Sequence, residues 1–470
     1  MPRLIKDENY FYQIIDKALY QYTKKNDFKE LEIRFEDIDF EFKEPINLTS
    51  AGLNIYFKNC SFSESRIDIT IDELEGQINS IEFNNCEIDS ELFIKESKLK
   101  HLVFNDVIIT SNNFYISSNE IYSLSIVGSS TNHNKINNLT LYDNSNIDFV
   151  DVRLNDFNFL YINNCNFIKG FTLNVNTINR LQIEKSSFQK DFEFWRNTLG
   201  DYSLIKKSTL GEVKAKESNF GIDTEFRDVI FTDRVEFIKL KSDIATLKFN
   251  NCTFQKNTYF DNSTTLNLEF QEVIFQSLAS FQHTRILHLI KFKTTYFEKI
   301  GYFEGVKIGS LKSLDINTVR TIKGQLQKSE SKIEYLKYNA LEQRKHLQTL
   351  SIKDVDFYIL KLNELSNDFG INWFKGVKFT IKTSIFFFII IVLINSFTIS
   401  DYPLKFNIHH NFVSSSIILS EFLKFSFSVG FGNEEIQSNG YLYLIFILSR
   451  ICIGYGIYQT VTAFRKFGKI

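Results

Sequence analysis

One short phrase recurs through the first two-thirds of the chain and constrains its fold more than any other feature. It reads Tyr56-Phe-Lys-Asn-Cys-Ser-Phe62, Glu82-Phe-Asn-Asn-Cys-Glu-Ile88, Tyr161-Ile-Asn-Asn-Cys-Asn-Phe167 and Lys248-Phe-Asn-Asn-Cys-Thr-Phe254. Looser copies stand between and after them, at Phe104-Asn-Asp-Val107, Phe226-Arg-Asp-Val229, Phe270-Gln-Glu-Val273 and Phe292-Lys-Thr-Thr295. The steps from Phe249 to Phe270 to Phe292 average about 21 residues, a period of stacked turns. Alternation such as Leu266-x-Leu268-x-Phe270 is strand spacing, with one face in and one face out. The Asn-Asn step supplies a corner, because Asn tolerates left-handed backbone angles and bonds to its own chain. A single turn cannot bury its inward row; stacking it on the next turn does. Cys, Val, Thr and Ser then share one narrow internal column.

That placement decides how the cysteines are read. There are five, an odd number with no C-x-x-C pair, so a disulfide framework is excluded. Cys60, Cys86, Cys165 and Cys252 sit in the repeat as small buried hydrophobes rather than ligands or nucleophiles. Cys452 lies far downstream. This pattern resembles the pentapeptide-repeat and related right-handed β-solenoid proteins over about Leu31 to Ile316. It departs from the strict Ala-Asp/Asn-Leu pentapeptide, and large Phe often takes the inward slot. The resemblance implies a scaffold or interaction surface rather than a catalyst. Ahead of it, Tyr10 to Lys25 reads as an amphipathic helix that caps the first turn.

Around Thr318 the strand rhythm ends. From Lys323 to Asn367 the chain is charged and Leu-rich, with Ile333, Leu336, Ala340, Leu347 and Leu350 at helical spacing and Leu360, Leu362 and Leu365 continuing the stripe. Such a stripe packs on a neighbouring helix, or bundles around an axis in a symmetric oligomer. Ser366 to Gly370 breaks it, with Gly370 as the expected cap. A basic collar comes next, at Trp373, Lys375, Lys378 and Lys382. No residue from Thr383 to Ser400 is charged, and with Lys382 snorkelling this makes a helix of about 30 Å, enough to cross a bilayer. Tyr441 to Ala463 is similar except for Arg450, and Arg465, Lys466 and Lys469 close the chain. Only Lys405 and Lys424 lie between the spans. The cation bias therefore puts both termini in the cytosol, and the charged start of the chain lacks the pattern of a secretory signal.

Between the spans, Asn411 to Phe427 is mostly apolar but too short to cross, and Ser428-Val-Gly-Phe-Gly-Asn433 comes directly after it. This resembles the pore of two-transmembrane potassium channels: outer helix, re-entrant pore helix, filter, inner helix. The resemblance covers about the last 95 residues. By position, Ser428 stands for the filter Thr, Val429, Gly430, Phe431 and Gly432 for the carbonyl-lining run, and Asn433 for the Asp after it. It implies carbonyl oxygens that replace the hydration shell of a permeant cation, K+ first. It also implies four subunits, since one filter strand cannot surround an ion. Gly430 and Gly432 allow the backbone angles this requires.

Several residues carry two readings. Glu434 and Glu435 form either a carboxylate ring at the mouth or a solvated loop face. Gly454 and Gly456 are either a gating hinge or a small-residue packing surface. Lys424 falls in the pore helix and Arg450 inside the second span, and neither suits an ordinary potassium pore. Arg450 either turns from the axis to pair with Glu421 or a carbonyl, or faces the axis and leaves the pore nonselective, anion-tolerant or closed.

No phosphate loop, nucleophile elbow or zinc motif appears, and His283 and His288, five apart in one turn, read as structural. The net charge of -2 gives no field for nucleic acid. The expectation is a non-enzyme without cofactor. Its parts are a capping helix (1–30), a cytosolic β-solenoid (31–317), a helical connector (318–372) and a pore module (373–470). Within the module, spans are expected at about 381–400 and 441–463, with pore helix and filter at about 411–433. The whole is a homotetrameric channel in the plasma (inner) membrane, touching lipid and a permeant cation, with a cytosolic protein or ligand on the solenoid. The competing readings are a scaffold merely anchored by the hairpin, and a triggered membrane-depolarising effector.

Overall fold

A computed structural model describes residues 3–25, 31–42, 45–51, 53–63, 66–72, 80–131, 133–398, 413–427 and 440–465. The chain divides into two units, Met1–Ser329 and Glu330–Ile470.

The first unit is a parallel β-solenoid of about 12 turns with about 22 residues in each, and its strand pairings are parallel throughout. Each strand bonds to the strand one turn away, as Asn155 does to Asn134 and Thr177 to Asp156. The inward side chains explain the period. Asn155, Phe157, Leu160, Ile162, Cys165 and Phe167 are all buried, so inward positions alternate in steps of two and three. Inward positions thus recur every five residues along the turn. Turns exceed the expected length where one strand carries an extra residue, as at the register shift between Ile178 and Arg180, whose partners are Leu199 and Tyr202.

The second Asn of the recurring phrase takes the left-handed conformation expected of it: Asn59, Asn85, Asn164 and Asn251 have φ of 53, 52, 53 and 52°. Other residues hold equivalent corners, including β-branched Val175 (φ 57°) and Arg196 (φ 52°). Left-handed geometry is unfavourable for such side chains. It persists because the ladder fixes it: Val175 N donates to Trp195 O at 2.9 Å and Arg196 N to Lys216 O at 3.0 Å.

The interior combines stacked rings with buried amides. Three columns of Phe run through the later turns: Phe226-249-270-292, Phe231-254-275-297 and Phe237-260-281-303. Neighbouring centroids lie 4.4 to 5.3 Å apart. Beside the middle turns stands a column of asparagines, Asn134, Asn155, Asn176 and Asn197, each 2% exposed or less. Asn176 Oδ1 accepts from Asn155 N (3.0 Å) and Asn197 Oδ1 from Asn176 N (2.9 Å). The Nδ2 groups of Asn155 and Asn176 donate to Ile126 O and Val152 O, both at 2.9 Å. A buried amide without partners would be costly; here each bridges turns. The facing column carries Asn119, Asn144, Cys165, Ser186 and Ser208; the backbone N–H groups of Asn119, Cys165 and Ser186 donate to the side chains of Asn144, Ser186 and Ser208, and Asn144 Nδ2 donates to Cys165 Sγ.

The cysteines of the repeat are buried and free. Burial pushes the Cys252 thiol up to about 12, and burial also raises Cys165. Both are therefore protonated and poorly nucleophilic near neutral pH. His283 occupies a left-handed corner (φ 56°) and His288 an exposed strand position.

Helices close both ends of the stack. At the start, α1 (Glu8–Lys25) sets Phe11 on Phe35 at 5.2 Å, against Phe40 and Phe42. At the far end, α2 (Ile316–Lys328) begins where Asp315 caps Thr318 N at 2.9 Å. It buries Val319, Ile322 and Leu326, while Thr318 Oγ1 accepts from Phe292 N (2.8 Å) and Gln325 Oε1 from Gly301 N (3.0 Å). The connector stretch is therefore divided: its first helix starts before Lys323 and belongs to the solenoid.

The second unit contains α3 (Lys332–Thr349), α4 (Val355–Asn367), α5 (Trp373–Thr398), α6 (Val413–Phe427) and α7 (Gly440–Phe464). α4 ends one residue pair earlier than its glycine suggests, because Asp368 takes the left-handed cap position (φ 57°) before Phe369 and Gly370.

Candidate functional site

Two helices of the second unit are long and apolar enough to cross a membrane, over Trp373–Ile394 and Gly440–Phe464. Only 17% and 28% of their most apolar stretches are buried, so most of that apolar surface is left open in the single chain. The first begins at Trp373, upstream of the position expected from charge, and Lys375, Lys378 and Lys382 lie on the helix itself.

α5 and α7 meet through two matching motifs, Gly376-x-x-x-Thr380 and Gly456-x-x-x-Thr460. A Cβ on Gly376 would fall 2.6 Å from Thr460 Oγ1, and one on Gly456 would fall 2.5 Å from Thr380 Oγ1. Each glycine admits the other helix's threonine, whose hydroxyl bonds back to its own helix: Thr380 to Gly376 O and Thr460 to Gly456 O, both at 2.9 Å. Small residues at such spacing let helices approach closely where lipid offers no hydrophobic drive. Gly456 therefore sits in a packing contact. Gly454 meets nothing within 4 Å among the described residues.

The short helix α6 is held against both long helices by rings. Phe388 of α5 lies 5.5 Å from Phe422 and 5.8 Å from Phe425, and Phe425 lies 6.2 Å from Phe446 of α7. Arg450 completes this cluster, with its guanidinium 5.0 Å from the Phe425 centroid and 4.3 Å from that of Phe446. A cation over a ring face gains most where water is scarce. Its Nε is buried without a hydrogen-bond partner among the described residues. The sequence offers Glu421 as its partner; that side chain lies outside the described residues, and among those described the guanidinium meets the two rings. Lys424 is exposed in the last turn of α6, where a cation complements the helix dipole.

Ser428, Val429, Gly430, Phe431, Gly432 and Asn433, with Glu434 and Glu435 after them, lie outside the described residues. The helices on either side of them, α6 before and α7 after, lie within.

A further cluster, invisible to motif reading, joins α4 to the end of α7. Tyr455 Oη donates to Asn363 Oδ1 at 2.8 Å, Gln459 Nε2 donates to the same oxygen at 3.2 Å, and Asn367 Nδ2 donates to Gln459 O at 3.2 Å and to Gln459 Oε1. Beside it, Asp368 bridges Arg344 (2.7 Å) and Lys375 (3.5 Å). The polar residues repeated four apart, Asn363 with Asn367 and Tyr455 with Gln459, were the signal available. Among the described residues no three His, Cys, Asp or Glu side chains gather into a metal-binding group. No protein-family model, curated protein or solved structure matches the chain.

Proposed function

We propose that this chain is the subunit of a membrane cation channel, selective for K+ or a close relative, with its solenoid serving as a cytosolic sensing or partner-binding domain. The observation that carries the reading is α6. It has 15 residues, about 22 Å of helix at 1.5 Å per residue, too short to span. It is apolar, it is pinned by Phe388, Phe446 and Arg450 between two span-length helices, and Ser428-Val-Gly-Phe-Gly-Asn433 comes directly after it. Irregular backbone at membrane depth is tolerated only where protein or a water-filled cavity surrounds it, which suits a filter.

In this reading four copies bring their glycine-rich segments to one axis, and main-chain carbonyls replace the water around the ion. Glu434 and Glu435 concentrate cations at the mouth. Arg450, engaged with rings, holds the pore helix rather than meeting the ion. The basic residues at the outer ends of both spans put the termini in the cytosol, and with them the solenoid. The chain is not an enzyme in this account.

Purified protein in planar bilayers is expected to pass cation current, and Gly430→Ala to abolish it. Current unchanged by that substitution removes the pore assignment. Biological activity that survives scrambling of 428–433 with both spans intact would instead support the anchored scaffold.

A further inference from the structure

α4 has two faces of opposite chemistry. Its inner side carries Asn363 and Asn367, bonded to Tyr455 and Gln459, and the helix packs on α3, α5 and α7. Its outer side carries Val355, Tyr358, Ile359, Leu362 and Leu365, which are 40 to 74% exposed. At about 100° per residue these five cover an arc of about 120°, the width of an apolar face that some other surface buries. Leu360, Leu362 and Leu365 read in sequence as one apolar stripe, although at about 100° per residue Leu360 lies about 200° from Leu362. The structure turns Leu360 inward and leaves the other two outside.

What covers the arc is indicated by its depth. The amide bonds tie the C-terminal turns of α4 to Tyr455 and Gln459, near the end of α7. Phe464, the last residue of α7, stacks on Trp373, the first of α5, at 4.8 Å. Lys375 Nζ, in the first turn of α5, donates to Glu364 O of α4 at 3.4 Å. The end of α4 is thus fixed at the level where both spans terminate, and Phe374 and Ile381 on α5 are exposed apolar side chains as well. Lys361 flanks the arc and Lys353 lies just ahead of the helix, positions from which each can extend its ammonium into water. We infer that α4 lies along the bilayer surface, with Val355, Tyr358, Ile359, Leu362 and Leu365 in the boundary between headgroups and acyl chains. Its inner face then carries the position of that surface to the second span through the carboxamide cluster. The inference rests on the membrane reading of α5 and α7.

The test uses the full chain in nanodiscs of phosphatidylcholine, with or without bromine on the acyl chains near the headgroup. The sequence has two tryptophans, Trp195 in the solenoid and Trp373 at the first span. In Trp195→Phe protein, Trp373 reports whether the spans meet lipid. In Trp195→Phe/Trp373→Phe protein, Ile359→Trp and, separately, Leu362→Trp report on the arc; both side chains are exposed, so the fold tolerates the change. The inference expects each new tryptophan to lose as large a fraction of its emission to bromine as Trp373 does. Quenching of Trp373 without quenching at 359 or 362 overturns it and leaves the spans intact. Blue-shifted emission would then mark a second copy over the arc, and red-shifted emission water. Absence of quenching at Trp373 overturns the membrane reading and this inference together.

Discussion

In the solenoid, Phe226, Phe249, Phe270 and Phe292 stack at 4.9 to 5.2 Å and keep no more than 2% of their surface exposed, whereas Phe386 on α5 is 59% exposed. The same side chain is turned inward in one unit and outward in the other. In the first, water drives rings together and the parallel ladders set their spacing. In the second, apolar surface faces outward and contact between helices depends on shape, through glycine against threonine, and on polar bonds at the helix ends. Each unit therefore places its irreplaceable residues differently: large and buried in the solenoid, small or amide-bearing among the helices.

The sharpest way to break this contrast is to remove one ring from each unit. Phe249→Ala should destabilise the solenoid by about 3–5 kcal/mol, and Phe386→Ala should change the stability of the helical unit by less than about 0.5 kcal/mol. Both are read by denaturant titration in detergent; equal losses would contradict the contrast. Next in size is the amide column. Asn176→Ala strands the Asn155 N–H and the Val152 carbonyl, and should cost about 1–3 kcal/mol. Asn176→Ser should recover part of that, because Ser218 accepts from Asn197 N in the same column at 3.2 Å.

A smaller effect separates the two glycines of α7. Gly456→Ala should loosen the helix pair and lower its thermal stability by the equivalent of about 1 kcal/mol, since the methyl meets Thr380. Gly454→Ala should be neutral or slightly stabilising through helix propensity. If Gly454 is the bend that opens the pore, that substitution alters gating while stability is kept. The smallest signal is expected from the thiols. Cys252 should resist maleimide in the folded state even at pH 9, where an ordinary thiol is largely ionised, because its proton is held up to about 12. It should react fully once the solenoid is denatured.

Much of the solenoid was legible because its period is written in residues with strong backbone or burial preferences, such as the Asn-Asn-Cys corners and the Phe rows. The buried asparagine column was missed although Asn134, Asn155, Asn176 and Asn197 recur every 21 residues, the separation of their hydrogen bonds. An isolated Asn reads as a surface or turn residue, and only the stacked turns supply the partners that let it be buried. The corners at Val175 and Arg196 gave no local signal, since the ladder imposes their geometry against their own preference. Among the helices, length and apolarity marked both span-length helices. The Gly-x-x-x-Thr pairs and the bonds from Asn363 and Asn367 depend on which faces meet, and one strand of sequence does not say that. For Arg450, charge logic points to an acidic partner, the usual remedy for a cation in lipid, and gives no hint of the ring faces of Phe425 and Phe446 that its guanidinium meets.

The channel assignment is tested most directly by potassium release from proteoliposomes. Vesicles loaded with K+ and diluted into a large impermeant cation, with a proton carrier to balance charge, should lose K+ rapidly when they hold the wild-type chain. Vesicles holding Gly430→Ala or Gly432→Ala should keep it. Release at the same rate from all three, or from none, would contradict the account.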